Sequence, residues 1–148
     1  MSSDRLLELY RQHHTAQDKY TYFLLAVVGA AIGFAVNETH SMKMAMSQIP
    51  LALAVICWGL SFFFGCKQLQ YVRRVLWDNS DLLKIEFGKH ELVGMNPELI
   101  KLTADIARKS LADGAKRAII FDRLQFRFLI TGVIFYLGWH ILEMWLRK

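Results

Sequence analysis

A chain of 148 residues has the length of one domain. Its hydrophobic fraction of 54% and aromatic fraction of 13% are high for a soluble protein of that size. The net charge of +5 invites a nucleic-acid reading, but twelve basic residues fall within 67–127 among eight acidic ones. Interleaved in this way they read as a membrane-topology signal rather than the phosphate-binding surface of a nucleic-acid-binding protein.

Residues 1–19, "MSSDRLLELYRQHHTAQDK", carry three basic and three acidic charges ahead of the first apolar run. That is too long and too acidic for the basic end of a signal peptide, and no small-residue cleavage site follows, so the first helix is expected to be retained. His13 and His14 are adjacent and point in different directions on a helix, which is a poor arrangement for a metal. "DKYTY", 18–22, sets charge and two tyrosines where the helix would enter a bilayer.

Residues 20–36 are 17 in a row without a charge, and "YFLLAVVGAAIGFAV" has no polar face. A buried helix of a small soluble bundle would keep a polar stripe. A spanning helix needs about 20 mostly apolar residues to cross a hydrocarbon core of about 30 Å, a length reached once Lys19 and Asn37 lie at the interfaces. Inside this segment Gly29 and Gly33 form a GxxxG, with Ala26 and Ala30 alongside. Such spacing admits close backbone approach and so suits helix packing, within one chain or between copies.

The short loop 37–48 holds a single lysine or arginine, Lys43. Residues 49–66 then give 18 positions without charge, in which Ser61 and Gly65 repeat the small-xxx-small spacing. Cys57 and Cys66 stand nine residues apart on one helix, roughly 13 Å at 1.5 Å per residue, so they cannot bridge each other. Beyond Cys66 no proline or turn cluster marks the change from apolar to charged sequence. Leu69, Val72, Leu76, Leu83 and Phe87 recur on one helical face, which predicts that the helix continues about five turns past the bilayer.

Gly88 supplies a stop, and His90 lies in the turn region "GKHELVGMNPEL". Asn96, Pro97 and Glu98 restart a helix as N-cap, first helical residue and first-turn acid. Leu99, Leu102, Ile106, Leu111, Ala115 and Ile119 carry that helix back, with Gly114 tolerated at about 1 kcal/mol. A third span is expected over 127–146, where 128–142 are free of charge and Arg127 and Glu143 reach outward. His140 and Glu143, at i and i+3, form half of a dinuclear metal site, but no second such pair exists. Among Trp139 and Trp145 they read as interfacial anchors.

The fold expected is a single all-α membrane domain over 1–148. It has three transmembrane helices, about 20–36, 49–66 and 127–146, and the second and third extend into a cytoplasmic antiparallel helical hairpin, about 67–126. The basic residues place the amino terminus and 67–127 inside, and 37–48 and the carboxyl terminus outside. No glycine-rich phosphate loop, GxSxG, CxxC or HExxH occurs, so no catalytic residue, cofactor or metal is expected.

The layout, a membrane hairpin joined to cytoplasmic helices, resembles the small helical effectors of bacterial conflict systems, the SLATT-like group. The resemblance is one of architecture across most of the chain. The "DKYTYF" and "YLGWHILEMWLR" stretches are similar to those of bacterial inner-membrane proteins. The SLATT-like resemblance implies a homo-oligomer that forms a pore or perturbs the bilayer, gated by its cytoplasmic helices, and it assigns no functional residue. The other expectation is an accessory or anchor subunit that holds a cytoplasmic protein partner at the 67–126 hairpin.

Overall fold

The computed structural model describes residues 2–39, 46–87 and 97–146; along the first 18 residues only Glu8 and Thr15 have described side chains. Among the described residues the chain is helical throughout: α1 Ser2–Thr39, a 3-10 turn Met46–Gln48, α2 Ile49–Glu86 and α3 Pro97–Leu146, with no strand. Local chemistry sets several of the ends. At the close of α1 the Thr39 hydroxyl donates to the carbonyl of Ala35 at 2.9 Å and lies 3.0 Å from that of Val36. Both α2 and α3 have a proline in their first turn, where a missing N–H costs no helical bond. Asn96, Gly88 and His90 lie outside the described residues.

The unbroken α2 answers the change of composition at Cys66. Its 38 residues run roughly 57 Å at 1.5 Å each, about twice a hydrocarbon core. Two segments are long and apolar enough to cross a membrane, Lys19–Thr39 with mean hydropathy 1.7 and α2 with 2.1. Only 22% of the first apolar window and 33% of the second are buried, whereas a soluble protein's core helix would be mostly buried. The third expected span does not reach the same standard. The charge-free run in α3, 128–142, is 15 residues, short of the roughly 20 that a hydrocarbon core requires.

The chain divides into two compact units, Met1–Gly65 with Leu124–Lys148, and Cys66–Arg123. In the first, Leu24, Val28 and Ala35 of α1 pack with Leu51 and Trp58 of α2 and Leu129 and Trp139 of α3. Its outward positions are themselves apolar: Phe23, Phe34, Ile56, Phe63, Ile134 and Ile141 are all more than half exposed. An exterior this apolar, around an apolar core, is consistent with membrane association.

In the second unit α2 and α3 run antiparallel, since Asp78 pairs with Ser110 and Tyr71 with Arg117. The apolar core here is small: Leu82, Ile85 and Ala104, with Ile100, Ala107 and Leu111 against them. This corrects the expected faces. Leu76 and Leu83 of α2, Phe87 just after it, and Leu99, Leu102, Ile106 and Ile119 of α3 are exposed. Both helices are turned so that a neighbouring set of residues meets. The contact face is Leu82 and Ile85 of α2 with Ala104 of α3, flanked by Ile100, Ala107 and Leu111.

Candidate functional site

The residues singled out from the sequence separate into three places. Ser61 and Gly65 pack inside the first unit. The Ser61 hydroxyl donates to the backbone carbonyl of Gln125 at 2.8 Å, and a Cβ on Gly65 would lie 2.7 Å from Gln125 Nε2 and 2.8 Å from Leu25 Cδ2. Here side chains of α1 and α3 fill the space that a Cβ on Gly65 of α2 would take. Gly29 and Gly33 have the opposite setting: a Cβ on either would meet nothing within 4 Å. Their face of α1 is open. His140 is exposed and Glu143 half-buried, one turn apart on α3. Among the described residues no three His, Cys, Asp or Glu side chains converge. The side chains of His13 and His14 lie outside the described residues.

Three features were not read from the sequence. Gln125 is fully buried, and neither its Oε1 nor its Nε2 meets a hydrogen-bonding partner. A glutamine three residues before an apolar run reads as an interface residue; only its alignment with Gly65 reveals it as interior. Gly132 is the second. A Cβ there would lie 2.5 Å from Trp58 Cδ1, so the glycine is what seats the indole, which also stands 5.7 Å from the Tyr136 ring. In turn Tyr136 stands 5.8 Å from Trp139, completing an aromatic column.

The third feature is a groove of about 190 Å³ in the Cys66–Arg123 unit. Residues spaced three and four apart put Tyr71, Arg74 and Asp78 on one face of α2, and Ser110, Asp113 and Arg117 on the facing side of α3. Gly114 forms part of its lining, where a Cβ would meet Val75 Cγ2 at 2.8 Å, so the helices close there. The Tyr71 ring stacks on Phe121 at 5.3 Å and 15°, and its phenolic oxygen accepts a hydrogen bond from Arg117 at 3.4 Å. That bond, with the positive charges of Arg117, Lys67 and Arg74, holds the phenol below its ordinary pKa. Just beyond the groove, Gln68 donates to Asp122 at 3.0 Å.

No family model, curated protein or solved structure matches this chain.

Proposed function

We propose that this chain is a multi-pass protein of the bacterial inner membrane that acts by self-association, as a pore-forming or membrane-perturbing effector of the SLATT-like kind gated by its cytoplasmic α2–α3 helices. The observation that carries this reading is the open Gly29–Gly33 face of α1. In the first unit Gly65 and Gly132 are filled by side chains of the same chain, whereas Gly29 and Gly33, like Gly59 and Gly138, have nothing within 4 Å; of these open glycines only 29 and 33 form a GxxxG. In lipid, helix association draws on close backbone packing because the tails are as apolar as leucine, and a second copy of α1 supplies such a surface.

Three crossings belong to this reading. The carboxyl-terminal part of α3 packs on the candidate spans: Phe128 stacks on Phe64 at 5.4 Å, and Gly132 lies against Trp58. If α2 lies at bilayer depth over those residues, α3 lies at the same depth. Arg127 and Glu143 then reach the two interfaces.

The test is the mass of the detergent-solubilised protein beside its circular dichroism. Gly29→Leu with Gly33→Leu should give a smaller species than wild type with helicity unchanged, because both sites are open within one chain. Equal masses above the monomer would sink this interface. A wild type that is already monomeric would favour the anchor subunit. One observation supports that second reading: Leu99, Leu102 and Ile106 form an exposed apolar stripe on α3, which a protein partner would cover. The membrane potential separates the two readings, since the effector collapses it on activation and the anchor does not.

A further inference from the structure

We propose that the groove in the Cys66–Arg123 unit is a binding site for a small phosphate–amine zwitterion of the phosphoethanolamine type, with Arg74 and Arg117 holding the phosphate and Asp78 and Asp113 the ammonium. The argument begins with the order of charges. Because Tyr71 pairs with Arg117 and Asp78 with Ser110, the groove runs along α2 from residue 71 to residue 78, roughly 10 Å at 1.5 Å per residue. Arg117 stands level with Tyr71, and Arg74 follows. The Val75–Gly114 approach places Asp113 next, and Asp78 closes the other end. The two cations are thus grouped toward Tyr71 and the two carboxylates toward Ser110.

Arg117 donates to Tyr71 and is attracted by Asp113, four residues earlier on α3, so the four are only partly committed. Among the described residues Arg74, Arg117, Asp78 and Asp113 form no ion pair with one another or with any other side chain; the pairs in this unit are Lys84–Asp81, Arg108–Glu86 and Arg108–Asp105. Asp78 takes only a hydroxyl hydrogen bond, from Ser110 at 3.2 Å. A groove of this composition has no net charge, so a simple anion would gain from one end and be repelled by the other. A molecule carrying both charges satisfies both ends.

The choice of phosphate follows from acceptor number. One guanidinium fork uses both oxygens of a carboxylate, whereas two forks need the third oxygen that a phosphate supplies. An ammonium offers three donors, enough for two carboxylates. The groove is open to one side, and its space of about 190 Å³ admits a headgroup-sized molecule. Tyr71 lies five residues beyond Cys66, the last residue of the apolar run, so both a lipid headgroup and a soluble phosphoethanolamine are within reach.

Full-length protein in lipid-free maltoside micelles would be titrated calorimetrically with O-phosphoethanolamine, inorganic phosphate and ethanolamine. Phosphoethanolamine should bind at least about tenfold more tightly than either fragment, a margin of about 1.4 kcal/mol. Arg117→Gln should weaken phosphoethanolamine and phosphate alike, and Asp78→Asn should bring phosphoethanolamine down to the level of phosphate. Circular dichroism checks that both variants keep their helices. Should either lose helicity, Arg74→Lys keeps the charge but not the fork and should also weaken binding.

The same titration in nanodiscs separates the two sources. Loss of the signal in phosphatidylethanolamine but not in phosphatidylcholine assigns the site to the lipid headgroup, and a signal retained in both assigns it to the soluble molecule. Absence of binding in micelles would overturn the proposal. So would phosphate binding as tightly as phosphoethanolamine, or folded variants binding like wild type.

Discussion

Glycine has opposite meanings at two positions of this chain. At Gly132 a methyl group would lie 2.5 Å from the Trp58 indole, a ring held also by Tyr136, so the neighbour has little freedom to yield. Gly132→Ala should therefore destabilise the protein by about 1–3 kcal/mol through overpacking. Gly29→Ala meets nothing within 4 Å and removes a weak helix former, so it should be neutral or stabilising by up to about 1 kcal/mol. Thermal melts in one detergent check the order; a Gly132→Ala variant as stable as wild type would mean that Trp58 is not seated there. Tyr71 gives a second residue-scale expectation. The Arg117 hydrogen bond, foremost among the causes, lowers its phenol, so its absorbance change at alkaline pH should precede that of the other tyrosines, and Arg117→Gln should move it back up. The sign for stability follows from linkage. A lowered folded pKa contributes stability that is fully present above the unfolded value near 10 and is lost as pH falls through the folded value, so neutral-pH stability is unaffected.

At the scale of elements, continuity was legible in the sequence and orientation was not. No proline or turn cluster interrupts 51–86, and α2 is one helix from Ile49 to Glu86. The face it presents to α3 was beyond reach, because Leu82 and Leu83 are identical and adjacent. Local identity cannot choose between them; Leu82 is the one that packs with Ile85 and Ala104. The difference is measurable. Leu82→Ala should cost about 2–5 kcal/mol as a core truncation, whereas Leu83→Ala, at an exposed site, should stay within about 0.5 kcal/mol. Equal effects would return the contact to the face that the sequence suggested. The groove was illegible for a related reason. Tyr71, Arg74 and Asp78 read as an ordinary solvated helix face until Ser110, Asp113 and Arg117 are brought opposite them. Gly29 and Gly33 were legible as a motif, but only the helix environment shows that their face is open.

At the scale of the molecule, the number of crossings decides where the carboxyl terminus lies. Twelve basic residues over 67–127 favour the cytoplasmic side for that region, against one lysine in 37–48. With two crossings by α1 and α2, the chain after residue 127 stays inside; with a third it leaves. The 15 charge-free residues 128–142 extend roughly 22 Å, about 8 Å less than a hydrocarbon core. Two effects make up that shortfall. Arg127 and Glu143 can extend their charged ends outward, and a short span thins the bilayer locally at fractions of a kcal/mol per Å. Against crossing stand His140 and Glu143, whose polar groups lie toward the far end of the run, and in favour stands the packing of Leu129 and Trp139 into the same core as Leu24, Val28 and Leu51. If α1 and α2 cross, that core holds α3 at their depth, and the proposed third crossing follows. A reporter active only outside the cytoplasm should therefore be active when fused after Lys148 and silent when inserted near Val93. Silence at both positions would mean that α3 turns back within the membrane or lies along its inner surface. The open Gly29–Gly33 face would remain, but the three-span arrangement would have to be given up.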